Sequence, residues 1–276
     1  MKDQGDPLAR IAEALEGLVP GHRAAPDWRG FDGYVWEGAG ARGVERLVAP
    51  PLDLMRGIDA QKAAVVENVR RLAAGAAAHD MLLWGSRGMG KSALLRAAVA
   101  AAQVERPKAV ALVQVSPGSL EDLAELFAAL RPVEERRFLV FLDDLGFESA
   151  EAQAARHLRS WLEGGVEARP DNVRLAVTSN RRAIVERHAG EQDDPLNPRD
   201  ALDDRLALAD RFGLSLGFHA CGQDDYLAIV AGYAEHYCLA WDEADALAWA
   251  KRRGARSGRV AWQYVTELAG RAGRAI

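Results

Sequence analysis

Gly85-Ser86-Arg87-Gly88-Met89-Gly90-Lys91-Ser92 is the stretch whose reading decides the fold. It fits the P-loop pattern, a glycine and four free positions followed by Gly-Lys-Ser. Its flanks supply the context that the pattern requires. Met81-Leu82-Leu83-Trp84 ahead of it is a short apolar run suited to a buried strand, and Ala93 to Val99 behind it is rich in helix formers. Strand, glycine loop and helix together make a phosphate cradle. Glycines let the backbone approach an anion, and the unpaired N–H groups at the helix start face it. In such a loop Lys91 reaches the β- and γ-phosphates of a nucleotide and the Ser92 hydroxyl holds Mg²⁺. Residues 85–93, through Ala93, are therefore the candidate phosphate-binding set.

Working downstream, Ala109 to Val115 is β-rich and apolar, as a strand covered on both faces should be. Ser119 to Leu130 is expected as a helix capped by Ser119, with Leu120, Leu123, Phe127 and Leu130 as its stripe. Phe138-Leu139-Val140-Phe141-Leu142-Asp143-Asp144 follows. Five apolar residues ending in two carboxylates read as a buried strand that delivers acids to the carboxyl edge of a sheet, where ligands bind in open α/β folds. Asp143 is placed to hold Mg²⁺, a hard cation that prefers oxygen. Asp144 is placed to orient or deprotonate an attacking water. A helix over 150–163 and a fourth strand over 173–178 come next, the strand running into Ser179-Asn180-Arg181-Arg182. Asn180, just past a strand end, suits hydrogen bonding to a water or a γ-phosphate; asparagine is also an ordinary turn former there. Residues 191–204 read as an exposed Pro- and Asp-rich loop, and Leu214 to Phe218 as a fifth strand. Beyond Cys221 the strand signal stops, and three helices are expected near 224–237, 242–253 and 259–269, with Trp241 and Trp249 in their core.

Upstream, Leu8, Ile11, Leu15 and Leu18 have helical spacing. Residues 20–46 collect Pro, Gly, Trp28, Phe31, Tyr34 and Trp36, which reads as an irregular arm whose aromatics either pack on the main domain or dock a partner. Pro50-Pro51 marks a boundary, and a helix carrying Val65, Val66, Val69 and Leu72 precedes the P-loop strand. The expected fold is thus α/β: a five-stranded, mostly parallel sheet between helices over 51–219, a small all-α lid over 220–276, and an N-terminal segment over 1–50.

Composition agrees with a globular chain. Of 276 residues, 49% are apolar and 27% charged, and the net charge is −5. That charge argues against a global basic field for nucleic acid and leaves local patches open, with Lys251, Arg252 and Arg253 among the candidates. The two cysteines, Cys221 and Cys238, form no C-x-x-C pair, so a reducing cytoplasm is the expected setting. No apolar run spans a membrane, and the first residues lack a signal-peptide layout.

Taken together, the motifs resemble those of the AAA+ ATPases. Gly85 to Ser92 is similar to their Walker A segment and Leu139 to Asp144 to their Walker B. Thr178-Ser179-Asn180-Arg181 resembles the sensor 1 segment, Asp210-Arg211-Phe212-Gly213 the arginine-finger segment, and Ser257-Gly258-Arg259 the sensor 2 segment of the helical lid. Leu54 and Gly57-Ile58-Asp59 are similar to the part that packs on adenine. The segments L-L-W-G-S-R-G-M-G-K-S, L-E-G-G-V-E-A-R-P-D-N-V and T-S-N-R-R identify the chain as a member of an uncharacterised bacterial AAA+ family, a domain of unknown function.

That resemblance implies ATP and Mg²⁺ as cofactors and ATP hydrolysis as the activity. It implies Arg211 acting on the neighbouring subunit of a homo-oligomer, Arg259 acting within its own subunit, and a macromolecular client to remodel or load. Two departures bear on this. Most of the superfamily ends Walker B with Asp-Glu, whereas this chain has Asp143-Asp144, as initiators and some helicase loaders do; the shorter acid implies slow hydrolysis, with Glu148 a possible substitute. Ser116-Pro117-Gly118 stands where a substrate-threading motor carries an aromatic pore loop. The competing readings are a regulatory ATP-binding switch, a DNA-associated loader and a small-molecule P-loop kinase. The last leaves Asn180, Arg211 and Arg259 without a role.

Overall fold

The computed structural model describes residues 26–38, 40–145, 158, 161–162, 168–180 and 209–276. Among them are seven strands, β1 (Gly33–Trp36), β2 (Ala41–Val44), β3 (Met81–Gly85), β4 (Val110–Val115), β5 (Arg137–Leu142), β6 (Val173–Ser179) and β7 (Leu214–Phe218). Six α-helices accompany them: α1 (Asp59–Ala73), α2 (Lys91–Glu105), α3 (Leu123–Leu130), α4 (Gln223–His236), α5 (Glu243–Arg253) and α6 (Gly258–Arg271). The N-terminal helix expected over 8–18, most of the helix over 150–163, Glu148 and the loop over 191–204 lie outside the described residues.

The strands form one sheet in the order β2-β1-β4-β5-β6-β3-β7. The five from β3 onward are parallel to one another. The residues of β3 to β6 are almost all buried, because helices cover both faces, and this is why they read as continuous apolar runs; in β7, at the sheet edge, only Phe218 is buried. Alternation still sorts the two sides. Met81 and Leu83 face the core beneath α1 and α2, whereas Leu82 and Trp84 face the core that holds α3.

Residues 33–44 correct the expectation of five strands and an irregular arm. β1 adds to the edge of β4 in parallel and β2 returns antiparallel to β1. Trp28, Tyr34 and Trp36 are buried in the α3-side core. A Gly-rich turn with Gly38 at φ +81° joins two strands of only four residues each. The glycines that signal a loop are here the turn and the flat parts of a hairpin. α3 also starts four residues later than expected, at Leu123: Pro117-Gly118-Ser119 forms a 3₁₀ turn instead, and Ser119 caps nothing by its side chain.

The lid helices close over the α1/α2 side. Tyr226, Val230, Ala246, Ala261, Tyr264 and Val265 are wholly or almost wholly inaccessible, and Trp241 and Trp249 are only partly buried at the margin, not central as expected. Small alanines let the helices approach closely and leave no room between them for an indole.

Candidate nucleotide site

Three strand ends meet at one edge of the sheet. Trp84 pairs with Ser179 and Leu142 with Val177, so the next residues, Gly85, Asn180 and Asp143, emerge side by side. The P-loop then turns back into α2. Gly85 (φ +115°) has no room for a side chain, since a Cβ there would lie 2.2 Å from the Phe218 carbonyl oxygen. That same oxygen accepts a 2.7 Å bond from the Ser86 N–H. Gly88 and Gly90 are left-handed as well, at φ +76° and +87°, and Gly90 caps the start of α2.

Lys91 is 6% exposed, and its ammonium donates to the carbonyls of Gly85 (2.8 Å) and Ser86 (2.9 Å) and to Oδ1 of Asn180 (3.0 Å). Burial pulls its pKa down, against the opposing pull of Asp144 and Asp143. Ser92 donates its hydroxyl to Asp143 Oδ1 at 2.6 Å, and Thr178 donates to the same oxygen at 2.7 Å. The Asp144 N–H donates to Thr178 Oγ1 at 2.9 Å, while Asn180 Nδ2 donates to the Asp144 carboxylate. Asp144 itself stands at φ +54°, a strained region for a side chain larger than glycine that aspartate enters more readily than most. P-loop, acids, Thr178 and Asn180 thus form one continuous hydrogen-bonded array.

The array floors a cavity of about 490 Å³. Of the sequence-predicted residues, Gly88, Met89, Gly90, Lys91, Ser92, Ala93, Asp143, Asp144, Asn180, Leu54, Ile58 and Arg259 line it. Gly85, Ser86, Arg87 and Gly57 do not. Gly57 serves the turn ahead of α1 at φ +76°. Arg259 arrives from the lid. Ser257 caps α6, and the Arg259 N–H donates to the Gly88 carbonyl at 3.1 Å, so the lid rests directly on the P-loop. Arg211 does not line the cavity. It precedes β7, whose Leu214 pairs with Met81, and so stands toward the sheet edge opposite the P-loop.

Sequence reasoning missed the other wall. Met55, Arg56 and Arg96 line it from the αβ part, and Ile229, Tyr233 and Trp262 from the lid. Tyr233 and Trp262 meet edge to face with centroids 5.2 Å apart. Trp262 lies three positions after Arg259 on α6, one turn along the same face, which is the only sequence signal that pointed to it.

A family model described as "Protein of unknown function (DUF815)" matches residues 29–272. The chain belongs to this family. No curated relative matches it. Among solved structures, one of Thermotoga maritima RuvB is 17% identical with a TM-score of 0.53, covering 83% of this chain and 68% of that one. The Thermotoga maritima RuvB Holliday junction branch migration motor is 16% identical with a TM-score of 0.51 over the same shares. At these identities the likeness is one of fold: this DUF815 protein has the α/β fold of the P-loop AAA+ proteins. Among its described residues no helix is long and apolar enough to cross a membrane.

Proposed function

We propose that this protein is an AAA+ ATPase that assembles with copies of itself and couples ATP binding and hydrolysis to remodelling or loading of a macromolecular partner. One observation carries the reading: Lys91, Ser92, Asp143, Asp144, Asn180 and Arg259, from four separate parts of the chain, converge on one cavity. The residues present fit a Mg-nucleoside triphosphate. Left-handed Gly88 and Gly90 place no side chain at two positions of the loop, Lys91 provides a cation, and Ser92 with Asp143 offers the hard oxygens that magnesium takes. When bound, the nucleotide supplies the transferable phosphoryl group and the ion offsets its charge. Lys91 and the loop N–H groups would hold the phosphates, Ser92 and Asp143 the ion, and Leu54, Ile58 and the lid wall the base. Asp144 would orient the attacking water and Asn180 hold it in line. Arg259 would act in its own subunit, and Arg211, distant from its own cavity, on that of a neighbour. On this reading residues 51–219 are the nucleotide domain, 220–276 the lid and 1–50 an N-terminal extension, working in the cytoplasm.

A second reading, a slow switch, is favoured by how completely the array satisfies itself. All three Lys91 donors go to protein oxygens and Asp144 is held by Asn180. Both must give up protein partners before acting, and the short Asp144 reaches less far than a glutamate.

Mg-dependent ATP turnover per subunit, followed across protein concentration with mass from light scattering, separates the two. Turnover that rises with assembly and is lost in Arg211→Ala, while ATP binding stays within about threefold, supports the shared site; the finger is worth ~10³ or more in rate. Tight binding with negligible turnover at every concentration favours the switch. Equal turnover in wild type and Arg211→Ala removes the finger.

A further inference from the structure

α5 ends in Lys251-Arg252-Arg253, and Arg256 follows in the turn to α6. All four side chains are exposed, and among the described residues none has an acidic partner. Acid is not scarce: the chain has 40 acidic residues against 35 lysines and arginines. Some surface arginines are paired, as Arg70 is with Glu105, Arg71 with Glu67 and Arg271 with Glu267, whereas among the described residues Arg42, Arg46 and Arg106 stand singly without an acid; only at the end of α5 do unpaired cations cluster on one helix end. The attraction of a helix carboxyl end for cations accounts for a basic last turn. It does not account for Arg256, which lies beyond the helix, or for how the arginines are held.

Trp249 is the organising side chain. Arg252 and Arg253, three and four positions on, both fold over its ring, with guanidinium carbons 5.6 and 4.8 Å from the centroid. Two like charges are thus gathered on one indole, and among the described residues neither is paired with a carboxylate. The large apolar side chains that stand exposed, Val48, Val104 and Ile276, lie on neither α5 nor its turn. A protein partner would want apolar anchors at the centre of its interface. A phosphodiester chain wants planar, pre-oriented guanidiniums, and the Trp249 indole holds two of them.

We propose that the end of α5 and the turn after it, with Arg252 and Arg253 over Trp249 and the exposed Lys251 and Arg256 adjoining them in the chain, is a docking surface for single-stranded nucleic acid gripped through its phosphates. The turn that carries Arg256 continues into Ser257, which packs against Gly88, so the surface is joined to the P-loop by one short turn. The assignment stands whether or not the cavity hydrolyses ATP.

Fluorescence anisotropy of a labelled single-stranded oligonucleotide of about 30 nucleotides, titrated with full-length protein at low and rising salt, tests it. Wild type should bind at about 50 mM salt with a log–log salt slope near −3, as about four phosphate contacts on a single strand require. Lys251→Gln, Arg252→Gln and Arg253→Gln combined should weaken binding by about tenfold or more and flatten the slope. A charge-matched control, Arg29→Gln, Arg70→Gln and Arg71→Gln combined, should change it by less than about twofold. Should the first combination fail to fold, judged by circular dichroism melting, Arg252→Lys with Arg253→Lys keeps the charge, loses the planar fork and should cost a few-fold in affinity. No binding by wild type at low salt, or equal losses in patch and control, overturns the proposal. Tighter binding of duplex, or equal binding of an acidic polypeptide at matched charge, overturns the single-strand assignment.

Discussion

The two walls of the cavity are built on different principles. The sheet wall is polar and local. Its groups come from strand ends in fixed register, and each is bonded to the next, from Lys91 through Asn180 and Asp144 to Thr178, Asp143 and Ser92. The lid wall is aromatic and assembled from afar. Ile229 and Tyr233 on α4 and Trp262 on α6 reach the cavity only because a helical unit is folded onto the P-loop. The lesson, on the function proposed above, is a division of labour: the first wall would recognise charge and perform chemistry, and the second would recognise what is attached to the charge.

Substitutions that separate the walls put that division at risk. The largest effect is expected from Lys91→Ala, which should weaken ATP and inorganic tripolyphosphate alike by about 100-fold or more, since a buried charge-assisted contact is lost from the part they share. Calorimetric titration of both ligands checks this, and retained tight binding would sink the P-loop assignment. Asp144→Asn should leave ATP affinity within about threefold while lowering turnover about 100-fold, the usual worth of a positioned acid–base group. A single-turnover assay reads it. Trp262→Ala should weaken ATP about tenfold and leave tripolyphosphate within twofold, because the loss falls on packing and not on charge. Equal effects on the two ligands would show that the walls do not divide the work.

The smallest effect concerns the lid's own stability. Burial, reinforced by the nearby Asp225, pushes the Cys221 thiol up to about 11 from an ordinary 9.0. Above pH 9 the unfolded chain loses this proton while the folded chain keeps it, so stability falls as pH climbs from 9 toward 11 and is full below 9. Tyr226, pushed up to about 12, adds the same sign at higher pH. Lys91 acts oppositely, because its depressed pKa makes stability rise with pH until the ordinary lysine value is passed. Cys221→Ala should therefore flatten the alkaline decline by at most about 2 kcal/mol. Urea midpoints at pH 8.5 and 10.5 measure it; an unchanged decline would place the titration elsewhere.

How much of this could be read in advance differed between the walls for the same reason. Asp143 and Asn180 follow apolar runs, and a residue directly after a buried parallel strand has only one place to go. Thr178 was quoted as part of a motif, yet its hydroxyl as a support for Asp143 could not be assigned, since which face it occupies depends on the register with β5. Tyr233 and Trp262 carry no marker. An aromatic on an amphipathic helix reads as core, and whether it lines a cavity is set by how the helix sits. The hairpin over residues 33–44 hid behind its own glycines, which mark loops more often than strands.

By itself, the sequence determined the P-loop, the order of strands that carry it, the acid pair and the helical unit after Cys221. Those follow from backbone freedom at glycine, from apolar periodicity and from local capping, all short-range physics. The tertiary structure alone decided that Arg259 would rest on Gly88, that an aromatic wall would face the P-loop wall, that Arg211 would stand outside the lining of its own cavity, and that Arg252 and Arg253 would share Trp249 without an acid. Contacts between residues far apart in the chain depend on how whole elements pack, and no local pattern encodes that distance.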